Sequence, residues 1–302
     1  MTLPPPPPGD HPVVSVLIVN WNAGAKLAGC LASLREHPPT EPWEVIVVDN
    51  GSSDDSIEAA RAVLTGLRVI ENGTNRGLPA ANNQAMTVAH GDALLICNPD
   101  VEFRPGAVDA LLATLRRHPG AAFVIPRLLY PDGTLQTSAG DLPTLAEAVL
   151  GRQAQRFGAK GSAEGFWWDG WDHATERPIG RGHEAAYLVR RDAVAQIGLQ
   201  DERFRLDWEG FDWTERARSL GWEIWFCPAA EVVHFGGASI RQVPFRWITS
   251  SHIGMYRYYA KRRPVWWRPG LAAVFGARAT AKMALAVAGL ASYERGHRRH
   301  QT

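Results

Sequence analysis

The sequence predicts an α/β fold: a mostly parallel central sheet flanked by helices, with a C-terminal helical extension. Three observations lead there. Continuous β-branched runs alternate with segments of helical spacing through residues 13–98, the rhythm of βαβ units. Polar clusters stand at the carboxyl ends of those runs, where parallel sheets bind ligands. Residues 263–302 are basic, aromatic and helix-compatible.

Taken in order, "VVSVLIVN" (13–20) is apolar throughout, as expected of a strand covered on both faces, and "KLAGCLASL" (26–34) places Leu27, Cys30, Leu31 and Leu34 at helical spacing. "WEVIVVDN" (43–50) repeats the strand signal. "SDDSIEAARAVL" (53–64) reads as a helix with Ser53 as N-cap and acids in its first turn, and "LRVIEN" (67–72) as a third strand. "LPAANNQAMTVA" (78–89), with Pro79 near its first turn, is helical, and "DALLICN" (92–98) is the fourth strand. After Pro105 a helix runs to about Arg117, then "AAFVIPRLLY" leads into a turn at Pro131-Asp132-Gly133. Residues 151–182 are Gly-rich, Trp-rich and aperiodic, the composition of a long loop. "EAAYLVRRDAVAQIG" (184–198) restores order ahead of "DERFRLDWEGFDWTERARSLGWEIWFCP" (201–228) and the strand "AEVVHFGGAS" (230–239). Residues 1–12, with Pro4 to Pro8 in a polyproline tract, read as a disordered or extended leader. The expected domain is 13–262, with a nucleotide-binding half (13–105) and an acceptor-binding half (106–262), followed by the tail 263–302.

Bulk properties narrow the function. At 302 residues and 45% apolar the chain buries a sizeable core, and a net charge of +1 sets up no global field toward nucleic acid. Cys30, Cys97 and Cys227 lie far apart with no C-x-x-C spacing, so buried thiols in a reducing compartment are expected rather than a disulfide framework or a zinc site. The N-terminus lacks a basic region followed by an apolar stretch, and the most apolar segment, Leu271 to Ala291, carries Arg278 and Lys282. The expectation is a cytoplasmic protein, soluble or peripheral at the inner face of the membrane.

Neither G-x-G-x-x-G nor G-x-x-x-x-G-K-[ST] follows the first strand, which argues against a dinucleotide fold and a P-loop. Asn20-Trp21-Asn22 stands there instead, an aromatic between two amides that suits a planar base and its ribose. Asp49-Asn50-Gly51 and Asn98-Pro99-Asp100 end the second and fourth strands. Each cluster alone is an ordinary turn. Three that converge at one sheet edge favour a site.

The motifs "VSVLIVNWN", "VIVVDNGSSDDS", "ENGTNRGLPAANNQA", "LLICNPDV", "LVRRDAVAQIGLQDERF", "DWEGFDWTERARSLGW" and "EVVHFGGAS" occur in that order over roughly residues 13–262. Together they resemble the GT-A fold (Rossmann-like) glycosyltransferases of family two, the rhamnosyltransferase-like branch especially. The resemblance implies that Asp49 contacts the donor base, where the plain reading is a helix-initiating turn. It places Asn75, Arg76 and Asn82 in the donor pocket, with the forked Arg76 guanidinium suited to a diphosphate, although Asn75 and Gly77 also suffice to shape a turn. Asp100 takes the second acidic position of the family's D-x-D element, ligating Mg²⁺ or Mn²⁺ against the donor diphosphate; the alternative is a cap before the next helix. Asn98 takes the first position and can reach a ribose hydroxyl without adding charge. His234 is the second candidate ligand, the alternative being a hydrogen-bonded strand histidine.

An inverting transfer needs a carboxylate to take the acceptor proton. The family's Glu-Asp pair falls on Glu209-Gly210, so the expected aspartate is a glycine. Glu209 is the first candidate for the base, with Asp207 and Asp212 as the others, and a catalytically weak protein is the remaining alternative. The implied activity is an inverting, metal-dependent transfer of a sugar, L-rhamnose from dTDP-L-rhamnose, to a hydroxyl of a polysaccharide or lipid-linked glycan. Two other readings stand beside it: a non-catalytic sugar-nucleotide-binding or scaffold protein, motivated by Gly210, and a nucleotidyltransferase, for which "NWNAGAKLAG" makes a poor phosphate loop. The segment "MYRYYAKRRPVWWRPG" (255–270) suits a membrane interface as well as a packed surface helix.

Overall fold

The computed structural model describes residues 3, 12–150, 168, 170–236 and 244–287. Apart from Leu3 and Pro12, the proline-rich leader lies outside the described residues. The chain runs β1 (Val14–Asn20), α1 (Ala25–Glu36), β2 (Trp43–Asp49), α2 (Ser56–Val63), β3 (Arg68–Glu71), α3 (Leu78–Val88), β4 (Ala93–Cys97), β5 (Val101–Phe103), α4 (Ala107–Arg117), β6 (Ala121–Leu129), β7 (Leu135–Gln136), β8 (Ala139–Gly140) and α5 (Leu145–Leu150). It continues through β9 (Arg177–Ile179), β10 (Arg181–Gly182), β11 (Ala186–Arg190), α6 (Arg191–Ile197), α7 (Glu209–Ser219) and β12 (Glu223–His234), then the helices Pro244–Lys261 and Arg268–Val287.

The main sheet has the order β3-β2-β1-β4-β11-β6-β12-β5. β1, β2, β3 and β4 pair in parallel, as does β6 with β12, whereas β11 runs antiparallel to both neighbours. Both faces are covered. Val14, Val16 and Ile18 bury against Leu27 and Leu31 of α1, while Leu17 and Val19 turn to Ala81, Ala85 and Met86 of α3, the strict alternation of a pleated strand. That double burial explains why β1, β2 and β4 read as unbroken apolar runs. A third core joins Trp208 and Phe211 to Tyr258, Tyr259, Leu271 and Phe275, so the last two helices pack on the start of α7.

The chain leaves β1 for β2 on one side and returns to β4 on the other, which opens a crevice at their carboxyl ends. Asn20–Asn22 and Asn98–Asp100 border it. From β4, residues 98–100 lead to β5, which pairs with the far end of β12 and sets Val101 opposite His234. β12 reaches that point through an irregularity between Cys227 and Glu231, where Pro228, with no N–H to donate, is accommodated.

Two sequence expectations change. Ser53 does not cap α2: the helix starts at Ser56, Asp54 Oδ1 accepts from the Ser56 hydroxyl (2.6 Å) and amide (3.3 Å), and the Ser53 amide donates to Asn22 Oδ1 (2.8 Å). The segment 151–182 is not loop throughout. Residues 151–167 and 169 lie outside the described residues, but β9 and β10 form by 182, and Trp168 is buried with Arg177 over its ring. The described rings of the segment serve packing: Trp171 meets His173 and Phe226 at ring-centroid distances of 4.4 and 4.8 Å. All three cysteines are buried thiols.

Val265–Val287 is long and apolar enough to cross a membrane, with a mean hydropathy of 1.3. Its charges, however, turn onto the protein. Arg278 donates to the Val149 carbonyl (3.0 Å) and meets His252 Nε2 (2.9 Å), and Lys282 lies over the Trp247 ring at 5.8 Å.

Candidate active site

At the donor edge, Asp49 is a buried carboxylate held by its surroundings. Its Oδ1 accepts from Asn20 Nδ2 (2.9 Å) and from the Ser52 hydroxyl (2.5 Å), and its Oδ2 from the Ser52 amide (3.0 Å). Asn20 is itself buried at the last position of β1, and Asn22, with φ +48°, donates its backbone N–H to the Ser52 hydroxyl oxygen (3.0 Å). Trp21 between them is half-buried. Gly51 makes this turn possible: its φ is +81°, and a Cβ there would stand 2.8 Å from the Thr74 backbone.

Asn50 ties this turn to the next loop, since its Oδ1 accepts the Arg76 amide (2.9 Å) and its Nδ2 donates to Asn75 Oδ1 (3.3 Å). The Arg76 side chain is exposed at that rim. Asn82 sits deeper, donating to Gln200 Oε1 (3.0 Å), and Gln200 in turn donates to the Tyr187 hydroxyl (3.0 Å). Six of the predicted donor residues, Asn20, Trp21, Asn22, Asp49, Asn75 and Arg76, therefore gather at one rim, while Asn82 braces α3 behind it.

At the end of β4, half-buried Asn98 donates its amide to the Ala185 carbonyl (2.8 Å). Two residues on, Asp100 is 7% exposed, and its Oδ1 lies 3.6 Å from Nε2 of His234, itself 5% exposed. The other imidazole nitrogen, Nδ1, faces Gln136 Oε1 at 3.0 Å. With the amide oxygen accepting from Nδ1, a neutral imidazole would turn an Nε2 lone pair toward the carboxylate and a protonated one an N–H. A carboxylate and an imidazole facing one another fit a hard or borderline divalent cation that takes its remaining ligands from a diphosphate. The described residues contain no group of three or more His, Cys, Asp or Glu placed to hold a metal.

A second cluster of charges stands at the start of α7. Asp207 and Trp208 both adopt left-handed backbone, φ +70° and +75°, at a cost on the order of 1–3 kcal/mol each. Packing holds them there. The Trp208 ring stacks on Phe211 at 4.5 Å, and Asp207 accepts from the Ser251 hydroxyl (2.7 Å) and the Trp208 amide (3.0 Å). Burial raises the Asp207 carboxyl, and it raises Glu209 well above the usual range, with Glu184 and Asp207 adding repulsion. Glu209 is 2% exposed, and its Oε2 has no hydrogen-bond partner among the described residues. Asp212 stands apart: fully buried, it meets Arg216 (3.0 Å), Lys261 (2.9 Å) and Arg262 (2.9 Å).

Three neighbours were not singled out from the sequence. Arg181 lies over the Phe211 ring at 4.1 Å, and burial lowers its guanidinium to about 10 despite nearby Glu184 and Asp207. His183 stands 5.2 Å from the His234 ring, and burial, followed by the positive potential of His234 and Arg181, lowers it well below the usual range. Glu184 follows directly. The available signal was "RGHEAAYLV", where charged residues abut an apolar strand.

Comparisons with known proteins bear on the family and the fold. The profile described as Glycosyl transferase family 2 matches residues 15–173. The chain is 32% identical over 285 residues to N-acetylglucosaminyl-diphospho-decaprenol L-rhamnosyltransferase of Mycobacterium tuberculosis, covering 86% of this chain and 88% of that protein. It is 33% identical over 222 residues to the succinoglycan biosynthesis protein ExoU of Rhizobium meliloti, covering 69% and 57%. Among solved structures, GalNAc-T7 with UDP, GalNAc and Mn²⁺ superposes with a TM-score of 0.56 at 17% identity over 74% of this chain and 43% of that one. TarS 1-349 of S. aureus superposes with a TM-score of 0.51 at 15% identity over 93% and 74%. The shared architecture is the GT-A fold, and the chain belongs to glycosyltransferase family 2, in its rhamnosyltransferase-like branch.

Proposed function

We propose that this glycosyltransferase transfers L-rhamnose, with inversion, from dTDP-L-rhamnose to a hydroxyl of a lipid-linked glycan that carries N-acetylglucosamine. The observation that carries the reading is the facing pair Asp100 and His234 beside the crevice between β1 and β4. The sugar and acceptor are those of the mycobacterial relative's name, carried over at 32% identity along most of both chains. Asp49 and the Asn20–Asn22 turn would bind the base and ribose, and Arg76 at the rim would meet the diphosphate. Asp100 and His234 would hold Mg²⁺ or Mn²⁺, which when bound offsets the charge that develops on the departing nucleotide. The carboxylates at the start of α7 lie on the acceptor side. One carboxylate of the group formed by these and neighbouring Glu184 would receive the acceptor proton, and burial raises Glu184 to about 7.

A lipid surface fits the last two helices. Phe245, Val265 and Trp266 are exposed, Trp266 at 74%, and a groove of about 370 Å³ is lined by Arg203, Tyr256, Arg257, Lys261 and, two residues after Trp266, Arg268. Aromatic rings at headgroup depth with cations beside phosphate are the composition of a peripheral membrane contact, which supports a proposed site of action at the cytoplasmic face.

Gly210 supports a second reading, a chain that binds nucleotide sugars without turnover. Thermal unfolding against a panel of nucleotide sugars with Mn²⁺ tests the donor assignment. A donor at one hundred times its Kd adds about 2.7 kcal/mol, so dTDP-L-rhamnose should raise the midpoint most; a larger rise with UDP- or GDP-sugars would overturn it.

A further inference from the structure

Building on that reading, we propose that Glu184 is the catalytic base, its carboxylate standing in the place that a side chain at residue 210 would fill. A Cβ built on Gly210 would lie 2.2 Å from Glu184 Cδ, 2.3 Å from Oε1 and 2.7 Å from Oε2. A residue larger than glycine at 210 and the Glu184 carboxylate cannot occupy the same space. The resemblance places the base on the aspartate at 210; in this chain the glycine there makes room for a carboxylate delivered from the neighbouring strand.

The fold brings Glu184 to the reacting end of the sheet. β11 runs antiparallel to β4, with Ala186 opposite Cys97, so the residues just before β11 lie beside those just after β4. The Asn98 amide donates to the Ala185 carbonyl, which fixes the residue after Glu184 beside the end of β4. From the other side, the start of α7 closes on it, and the carboxylate accepts the Gly210 N–H.

The other carboxylates are less able to take a proton. Asp212 is held by three cations. Both Asp207 oxygens already accept hydrogen bonds. Glu209 is buried with an unpartnered oxygen, a position that favours its neutral form, and a neutral carboxyl cannot act as a base. Glu184 is half-buried. Burial raises it to about 7, with Asp207 adding and Arg181 and the Gly210 N–H opposing; Glu209 and Tyr187 also face it. It is therefore partly ionised at neutral pH.

In the step, the Glu184 carboxylate removes the acceptor hydroxyl proton, and the oxygen's electron pair forms the bond to the anomeric carbon. The bond from that carbon to the donor phosphate breaks on the opposite face, its electron pair leaving with the nucleoside diphosphate. Glu184 then returns the proton to solvent.

The test uses the full chain with Mn²⁺, dTDP-L-rhamnose and a lipid-linked N-acetylglucosamine acceptor. Glu184→Gln should lower kcat by about 10²- to 10⁴-fold, with dTDP affinity unchanged. The parent's kcat/KM should fall as pH drops through about 7. The swap Glu184→Gly with Gly210→Asp should recover turnover relative to Glu184→Gly alone, because it returns a carboxylate to the same space. A role confined to capping α7 would lower the melting midpoint of Glu184→Gln and leave kcat and the pH profile in place, which overturns the assignment. A swap variant no better than Glu184→Gly also overturns it. The parent measured alongside separates the two claims: turnover undiminished in Glu184→Gln removes this assignment alone, whereas a parent that binds donor without turnover removes the functional reading and the base with it.

Discussion

His234 Nε2 and Asp100 Oδ1 face each other at 3.6 Å, and Gln136 Oε1, 3.0 Å from Nδ1, sets which imidazole nitrogen points at the carboxylate. Two acceptors aimed at one point are reconciled by a proton on the histidine or by a cation between them. Manganese titrated in the presence of dTDP and followed by electron paramagnetic resonance should therefore show Asp100→Ala and His234→Ala each weakening the metal by at least about tenfold, equivalent to about 1.4 kcal/mol. Gln136→Ala should weaken it by about 10- to 100-fold through the orientation of the imidazole. Unchanged affinity in all three variants would show that the pair is structural.

Asp49 satisfies the amide of Asn20 and both the amide and hydroxyl of Ser52. Replacing it with alanine leaves buried donors unmet, at about 1–3 kcal/mol in urea unfolding. If the carboxylate also reads the base, calorimetry should show weaker dTDP binding in the variant while it remains folded. A stability loss with intact dTDP affinity would confine Asp49 to the turn.

The Asp212 cluster ties α7 to the helix Pro244–Lys261 and to Arg262 behind it. Burial raises its carboxyl, but Lys261, Arg216 and Arg262 outweigh that and hold it below the usual range. A carboxyl lowered in the folded state contributes stability above the unfolded value, near 3.9 for aspartate, and that contribution disappears as pH falls through the folded value. Asp212→Ala should cost about 3–5 kcal/mol at pH 7, because three cations lose their shared partner. The gap between variant and parent should narrow in acid denaturation below about pH 4. A constant gap down to pH 2 would mean that the ion pairs are not what is lost.

The exposed Trp266 and Val265 lie just before Arg268 of the basic groove. Trp266→Ala should reduce sedimentation with anionic lipid vesicles by about tenfold or more, since burying one large apolar side chain contributes about 1.5–3 kcal/mol. Equal binding by the parent and the variant would assign these rings to another surface.

Local patterning carried much of the fold into the sequence. β1, β2 and β4 are unbroken apolar runs because helices cover both faces, and the amide and carboxylate clusters that end them are the rim described above. What stayed hidden depends on long-range pairing. Gln136 meets His234 across 98 residues, and nothing in "GTLQTS" marks it. Glu184 and Gly210 come together because β11 and α7 meet, so a missing aspartate was readable while the carboxylate in its place was not. The Ser53 cap was misplaced because Asp54 competes for the Ser56 amide, and the stretch around Trp168 and Trp171 looked like loop because Trp168, Trp171 and His173 pack on one another without a period.

Transfer of labelled rhamnose from dTDP-L-rhamnose to a lipid-linked N-acetylglucosamine acceptor, measured with the metal removed by chelator and then restored, bears most directly on the central claim. The account predicts turnover that disappears with the metal, returns with Mn²⁺ or Mg²⁺, and is abolished in Asp100→Ala. Transfer that continues at the same rate in chelator and in Asp100→Ala, or none by the parent under any of these conditions, would contradict it.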